Sequence, residues 1–135
     1  MRVMPRLFLA TAAVLLVSRS AASQTLGVEL LKKCNASIAA LDGSTTFDAK
    51  DAVFCRAFIE GVMQTSTAVQ TLAAQAGKGG GPEWLPQVVF CAPASVKFAQ
   101  EIRVVHKWLQ EHPAERYEPA GLLVLIALGK AFPCE

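Results

Sequence analysis

Hydrophobic and polar residues alternate at helical spacing in several separate stretches of the chain. In residues 24–41, apolar side chains recur near the 3.6-residue period of a helix, and Lys32 and Lys33 lie on the other side. The apolar side consists of Val28, Leu31, Ile38 and Leu41. Gly43 follows as a natural C-terminal cap, since glycine adopts the left-handed backbone that ends many helices. This stretch predicts a first helix.

A second helical pattern extends over residues 47–75. Asp48 or Asp51 can cap its start, because a carboxylate accepts hydrogen bonds from the free N–H groups there. The predicted buried side consists of Phe54, Phe58, Val62, Val69 and Leu72. Gly61 lies inside the pattern, and we interpret it as a point of close packing against a neighbouring helix rather than as a kink.

The last third of the chain holds two helical patterns between Cys91 and Cys134. The third helix is predicted over residues 96–111, with an apolar stripe of Phe98, Ile102, Val105 and Leu109. The fourth is predicted from about Pro119 to Ala131, and it is apolar around most of its circumference. Such a helix is central or joins a subunit interface. With no strand pattern, the chain is predicted to be all-α, a small bundle of about four helices.

The N-terminal 23 residues have the pattern of a secretory signal peptide. Arg2 and Arg6 precede an apolar run at residues 7–17, which is short for a membrane span, and residues 21–23 offer small side chains for cleavage. The alternative is an uncleaved anchor. Cleavage leaves a domain of residues 24–135, predicted to be periplasmic and without membrane attachment.

Charge excludes some partners of the mature chain. Cleavage removes three of 13 basic residues, Arg2, Arg6 and Arg19, which leaves 10 against 11 acidic residues and a net charge near −1. A nearly neutral chain without a basic cluster gives no support for nucleic acid or anionic lipid as a partner.

All four cysteines, Cys34, Cys55, Cys91 and Cys134, lie in the exported part. An even count in a small exported chain predicts two disulfides, which stabilise a modest core. Two antiparallel helical hairpins would bring Cys34 near Cys55 and Cys91 near Cys134. Four cysteines allow three connectivities, so the crossed pairings stay open.

No group of residues in the sequence predicts catalysis. There is no G-x-S-x-G elbow, and disulfide pairing would leave no thiol nucleophile. His106 and His112 are interpreted as helix residues in structural positions, and no metal or cofactor motif is present. The chain is therefore predicted to be a binding or structural protein, not an enzyme.

The best candidate for a recognition element is the segment of residues 77–87. Its glycine-rich start predicts a surface loop, and loops on a rigid scaffold often carry function. Trp84 either packs against its own domain or anchors a partner. The predicted partner-binding residues are Lys78, Glu83, Trp84 and Gln87.

Four segments resemble the Rap/Tai immunity proteins of type VI secretion. Residues 54–62, FCRAFIEGV, are similar to the family's F-C-x-G-[YF]-I-x-G-V signature. Cys91-Ala92-Pro93, with Val96 and Gln100, resembles its second segment. Residues 104–109, VVHKWL, followed by His112-Pro113, resemble its third, and residues 131–134 match its closing A-F-P-C. The resemblance covers about residues 50–135.

This resemblance implies a periplasmic helical protein that neutralises a peptidoglycan amidase effector delivered by another cell. It also implies a homodimer in which a protruding loop enters the amidase cleft and blocks its active site. A second hypothesis is a periplasmic stress or chaperone-like helical protein without a toxin partner, motivated by the apolar fourth helix. The two hypotheses differ in whether the protein binds an amidase.

Overall fold

The computed structural model describes residues 24–75 and 89–134, which form four helices. These are α1 (Gly27–Leu41), α2 (Ala49–Gln75), α3 (Phe98–Glu111) and α4 (Ala120–Ala131), with a 3₁₀ turn at Glu115–Tyr117 between α3 and α4. No strand occurs within the described ranges, where Leu26 and Pro119 form a single isolated bridge. The predicted all-α bundle is confirmed. The predicted signal peptide lies outside the described residues.

The helix ends follow the predicted capping chemistry. Gly43 has a φ of 82°, and its N–H donates to the Ala40 carbonyl at 3.1 Å. The Ser44 N–H donates to the Ala39 carbonyl at 2.9 Å, which completes the bond pair of a Schellman motif. At the start of α2, Asp48 Oδ1 accepts the Asp51 N–H at 2.9 Å. Both predicted caps are therefore confirmed.

α1 and α2 form an antiparallel hairpin that is held by three links between the helices. Cys34 and Cys55 form a disulfide with their Cα atoms 5.0 Å apart. One turn further along α1, Ser37 Oγ donates to the Ala52 carbonyl at 2.7 Å. Lys33 Nζ lies 3.1 Å from Asp51 Oδ1. These links fix both the register and the rotation of the two helices.

α3 and α4 form the second hairpin. The predicted Cys91–Cys134 disulfide is present, with a Cα separation of 4.9 Å. Arg116, in the 3₁₀ turn, satisfies the last carbonyls of α3, because its Nε donates to Leu109 at 2.6 Å and its Nη2 to Gln110 at 2.7 Å. All four cysteines are in disulfides, so the crossed pairings are excluded.

The core lies where the two hairpins meet. Cross-links between α1 and α3 support it: Arg103 contacts Asp42 at 2.6 Å, and His106 Nε2 lies 2.8 Å from Asn35 Oδ1. The largest fully buried side chains come from all four helices: Leu30, Ile59, Ile102, Val105, Leu109, Leu123, Val124 and Leu128.

The predicted buried side of α2 is wrong by about one residue position. The buried residues of α2 are Ala52, Cys55, Ile59 and Ser66. The predicted residues Phe54, Phe58, Val62 and Val69 are half-buried, and Leu72 is 65% exposed. A step of one residue turns a helix by about 100°. Because Cys55 has to face Cys34, the disulfide sets the rotation of α2 and moves the larger apolar side chains to the flank.

Candidate functional site

The flank of α2 forms a groove with α4. The groove has a volume of about 550 Å³. Seven residues of α2 and two of α4 line it: Ala57, Phe58, Gly61, Val62, Thr65, Ser66, Val69, Gly121 and Leu125. Phe58, Val62 and Val69 are residues that the sequence pattern assigned to the core of α2. They are instead partly open to solvent.

Small residues make this groove. A Cβ atom at Gly121 would lie 3.9 Å from Val62 Cγ2, an ordinary contact between α4 and α2. A Cβ atom at Gly61 would meet no atom within 4 Å. The interpretation of Gly61 as a point of close packing within the subunit is therefore wrong. Gly61 widens the groove instead of allowing a neighbouring helix to approach.

Both walls of the groove lack charged residues. Residues 61–75 of α2 and residues 120–129 of α4 contain no Asp, Glu, Lys or Arg. Three threonine hydroxyls along α2 bond to carbonyls of the preceding turn: Thr65 to Gly61 at 2.8 Å, Thr67 to Met63 at 3.1 Å and Thr71 to Thr67 at 2.9 Å. Nearby, Leu72 and Leu122 are 65% and 43% exposed. Depletion of charge is the compositional mark of an interface core.

The predicted recognition residues Lys78, Glu83, Trp84 and Gln87 lie outside the described residues. The described residues that follow this segment in the chain are buried or bonded to other parts of the bundle. Phe90 is 9% exposed, and its carbonyl accepts Gln70 Nε2 at 3.3 Å. The Cys91 N–H donates to the Phe132 carbonyl at 2.8 Å, beside the Cys91–Cys134 disulfide. The described chain thus stops at Gln75, the last residue of α2, and resumes at Val89, next to the buried Phe90.

The two histidines have structural contacts. Burial is the main cause that lowers the pKa of His106, and the nearby Arg103 guanidinium lowers it further, against the opposing effect of Asp42. The ring of His112 stacks on Trp108 with the centroids 4.1 Å apart, and its Nδ1 lies 2.8 Å from the Trp108 carbonyl. Neither ring lies in the groove. Within residues 24–75 and 89–134, no cluster of His, Cys, Asp and Glu could hold a metal ion.

Comparison with known families decides what kind of protein this is. The family model described as Rap1a immunity proteins matches residues 26–134, which is nearly the whole helical part. The chain belongs to the Rap1a immunity protein family. No curated protein and no solved structure matches it. The resemblance seen in the sequence is thereby confirmed.

As a member of the Rap1a family, the protein has an immunity role against a toxin effector of type VI secretion. The match extends over both hairpins and over the segment between α2 and α3. No helix in the described part of the chain has the length and apolarity to cross a membrane.

The sequence pattern missed the groove, although one signal in it was available. That signal is the absence of charge over fifteen successive residues, 61–75, of which the structure buries only Ser66. A helical stretch that is neither charged nor buried predicts contact with another molecule.

Proposed function

We propose that this Rap1a family protein neutralises a peptidoglycan amidase effector of type VI secretion. In this proposal the segment of residues 77–87 covers the active site of the amidase, with Lys78, Glu83, Trp84 and Gln87 as contact residues. Family membership over residues 26–134 is the observation that carries the proposal.

The anchored base of the segment supports this mode of binding. Phe90 is buried in the core, and Cys91 is joined to Cys134 at the end of the second hairpin. Association costs less when the binding element is attached to a rigid frame, because fewer degrees of freedom are lost in the complex. The frame needs no catalytic groups, since it acts by covering the toxin.

Periplasmic location is part of the proposal. A signal peptide at residues 1–23 would export a mature domain of residues 24–135. Two disulfides form and persist in an oxidising compartment such as the periplasm. An effector that attacks peptidoglycan acts in the same compartment, so inhibitor and toxin would meet there.

We also propose that the protein is a homodimer, with the α2–α4 groove as the contact between two copies. A two-fold dimer requires a patch that fits its own copy. The uncharged walls meet this requirement because no like charges would face each other across the axis. The space above Gly61, where an added Cβ atom would have no neighbour within 4 Å, would admit an apolar side chain of the second copy.

An inhibition assay tests the immunity role. Purified mature protein is mixed with a panel of type VI amidases, including any encoded beside its gene, and peptidoglycan cleavage is measured. We expect one amidase to be inhibited stoichiometrically. Trp84→Ala should weaken inhibition at least about tenfold, the usual effect of losing an aromatic hot spot. Tyr117→Ala is the matched control, since Tyr117 is an aromatic residue that is 73% exposed on the 3₁₀ turn.

Two results would contradict the proposal. One is the absence of binding to every amidase of the panel. The other is full inhibition by the Trp84→Ala variant together with loss of inhibition in Tyr117→Ala, which would place the contact on the 3₁₀ turn instead of the segment of residues 77–87. Suppression of client aggregation in acid, without amidase binding, would favour the chaperone-like hypothesis instead.

A further inference from the structure

Another pocket lies between α2 and α3, and its lining includes two carboxylates. It has a volume of about 350 Å³. Four residues of α2 and two of α3 line it: Glu60, Met63, Gln64, Thr67, Phe98 and Glu101. It does not share a lining residue with the α2–α4 groove.

Glu101 is the unusual residue of this pocket. It is 5% exposed, and burial raises the pKa of its carboxyl group. Its side chain forms no hydrogen bond or ion pair with any residue of the described part of the chain. A buried carboxylate is normally paired with a cation or saturated with hydrogen bonds. Glu101 therefore lines the pocket as an acceptor without a donor.

The other groups around the pocket add acceptors and an apolar wall. Glu60 is exposed and accepts only a long bond from Gln64 Nε2, at 3.4 Å. The Thr67 hydroxyl donates its hydrogen to the Met63 carbonyl at 3.1 Å, which leaves its oxygen free to accept. The Phe98 ring and the Met63 thioether are suited to contact an aliphatic stem.

Arg56, a basic residue close to Phe98, is not paired with the carboxylates of the pocket. The Arg56 guanidinium lies 5.9 Å from the centroid of the Phe98 ring. Among the ion pairs within residues 24–75 and 89–134, none involves Arg56, Glu60 or Glu101. Two carboxylates thus face one pocket without a cation between them.

We propose that this pocket binds a cationic nitrogen group, an alkyl ammonium or a guanidinium, with Glu101 as its counter-ion at the base and Glu60 at the rim. Bonds from N–H donors to an ionised acceptor are among the stronger hydrogen bonds in proteins. The Phe98 ring adds an apolar surface for the aliphatic stem that carries the cation. A free amine and a basic side chain of another protein share this chemistry. The site depends neither on the amidase nor on the dimer proposed above.

Titration by NMR tests the site on the full mature protein. The probes are n-pentylamine for a free amine and a short blocked peptide with one arginine for a protein side chain. Their uncharged controls are n-pentanol and the same peptide with citrulline. We expect saturable shifts of the Met63 methyl and Thr67 amide signals, with a Kd of about 1 mM for a single small ligand. Saturation by the amine alone would identify a small molecule, and saturation by the peptide alone a protein side chain.

Matched variants distinguish loss of a pocket residue from a change in the net charge of the protein as the cause of weaker binding. Glu101→Gln keeps the shape of the side chain and should weaken binding at least about tenfold, as expected for loss of a counter-ion in a buried site. Glu60→Gln should weaken it less, because Glu60 is exposed. Glu115→Gln removes the same charge on the exposed 3₁₀ turn and should leave the Kd unchanged.

Three results would overturn the proposal. They are the absence of saturable shifts with both cationic probes, equal shifts with the uncharged controls, and unchanged affinity in Glu101→Gln. Thermal unfolding of Glu101→Gln confirms that the variant is folded before its affinity is compared. None of these results depends on whether an amidase partner is found.

Discussion

The two halves of α2 belong to one continuous helix but differ in what holds them. Residues 49–60 are linked to α1 by the Cys34–Cys55 disulfide, by the Ser37–Ala52 hydrogen bond and by an ion pair from Lys33. Residues 61–75 bury only Ser66; Val62 and Met63 pack against the edge of the core, and Gln70 donates to the Phe90 carbonyl. The first half carries charges on its outer side, and the second half carries none.

This difference shows how a single helix can serve as both frame and contact surface. The disulfide directs Cys55 and Ile59 into the core, and it leaves Phe58, Val62 and Val69 on the flank. Stability is thus concentrated in the first half. The second half keeps apolar surface available for another molecule. Variants in each half test this division, and the largest effect is expected at the disulfide.

Removal of the Cys34–Cys55 disulfide should destabilise the frame most. The chain-entropy model gives about 3 kcal/mol for a bond that closes this loop. Both sulfur-bearing residues are fully buried, so Cys34→Ala/Cys55→Ala also leaves a cavity. Urea unfolding of the double variant measures the loss. A loss below about 1 kcal/mol would contradict the assignment of stability to the first half.

Ile59 and Val62 lie one turn apart on α2 and form a matched pair, because the first is fully buried and the second is half-buried in the groove. Ile59 is fully buried, and Ile59→Ala should cost about 2–5 kcal/mol of unfolding free energy. Val62 is half-buried in the groove, and Val62→Ala should cost about 1 kcal/mol or less when measured on the monomer. Unfolding at low protein concentration gives both values. An equal loss of unfolding free energy at Ile59 and Val62 would remove the distinction between the core position and the groove position.

The stability of the protein should depend on pH through the carboxyl group of Glu101. Because its folded-state pKa is raised above the ordinary 4.5, the folded protein binds more protons than the unfolded chain just above that pH, and stability from this group falls as pH rises. Glu101→Gln should therefore raise Tm at pH 7, and this advantage should disappear below about pH 4.5.

The control for this pH profile is Glu115→Gln, which removes an exposed carboxylate. Its Tm should follow that of the unmodified protein across the same pH range. A Glu101→Gln variant that is less stable than the unmodified protein at pH 7 would show that the Glu101 carboxylate is stabilised by its surroundings, contrary to the expectation.

Gly61→Ala should give the smallest change in stability of the monomer. A methyl group at this position meets no neighbouring atom, and alanine is a better helix former than glycine. The expected gain is up to about 1 kcal/mol in an exposed helix interior. Urea unfolding at low concentration measures it. A loss of stability would mean that the space above Gly61 is needed within the single subunit.

Much of the fold could be predicted from the sequence, because its helix signals are local. Asp48 and Gly43 mark the facing ends of α1 and α2 through hydrogen bonds within a few residues. The hairpins favoured the observed cysteine pairing, since antiparallel neighbours bring Cys91 to Cys134, and the structure excluded the crossed pairings that the sequence left open. Family resemblance was likewise carried by short segments of sequence.

The rotation of α2 could not be predicted in the same way. Phe54, Phe58 and Val62 have the stronger apolar pattern, and the constraint that overrides it is the bond between Cys55 and a residue 21 positions away. The pocket lined by Glu60 and Glu101 was also missed. Glu60 and Glu101 are far apart in the chain, and only the packing of α2 against α3 brings them to one pocket.

Sedimentation equilibrium of two lysine variants tests the division of α2 most directly. Gly61→Lys places a charge in the groove at a position where an added Cβ atom meets no atom within 4 Å, and Val53→Lys places it on the first half, at a position that is 65% exposed. We predict a dimer for the unmodified protein and for Val53→Lys, and a monomer for Gly61→Lys, because like charges would then face each other across the two-fold axis. A dimer that persists in Gly61→Lys, or one that is lost in Val53→Lys, would contradict the division of α2 into a frame and a contact surface.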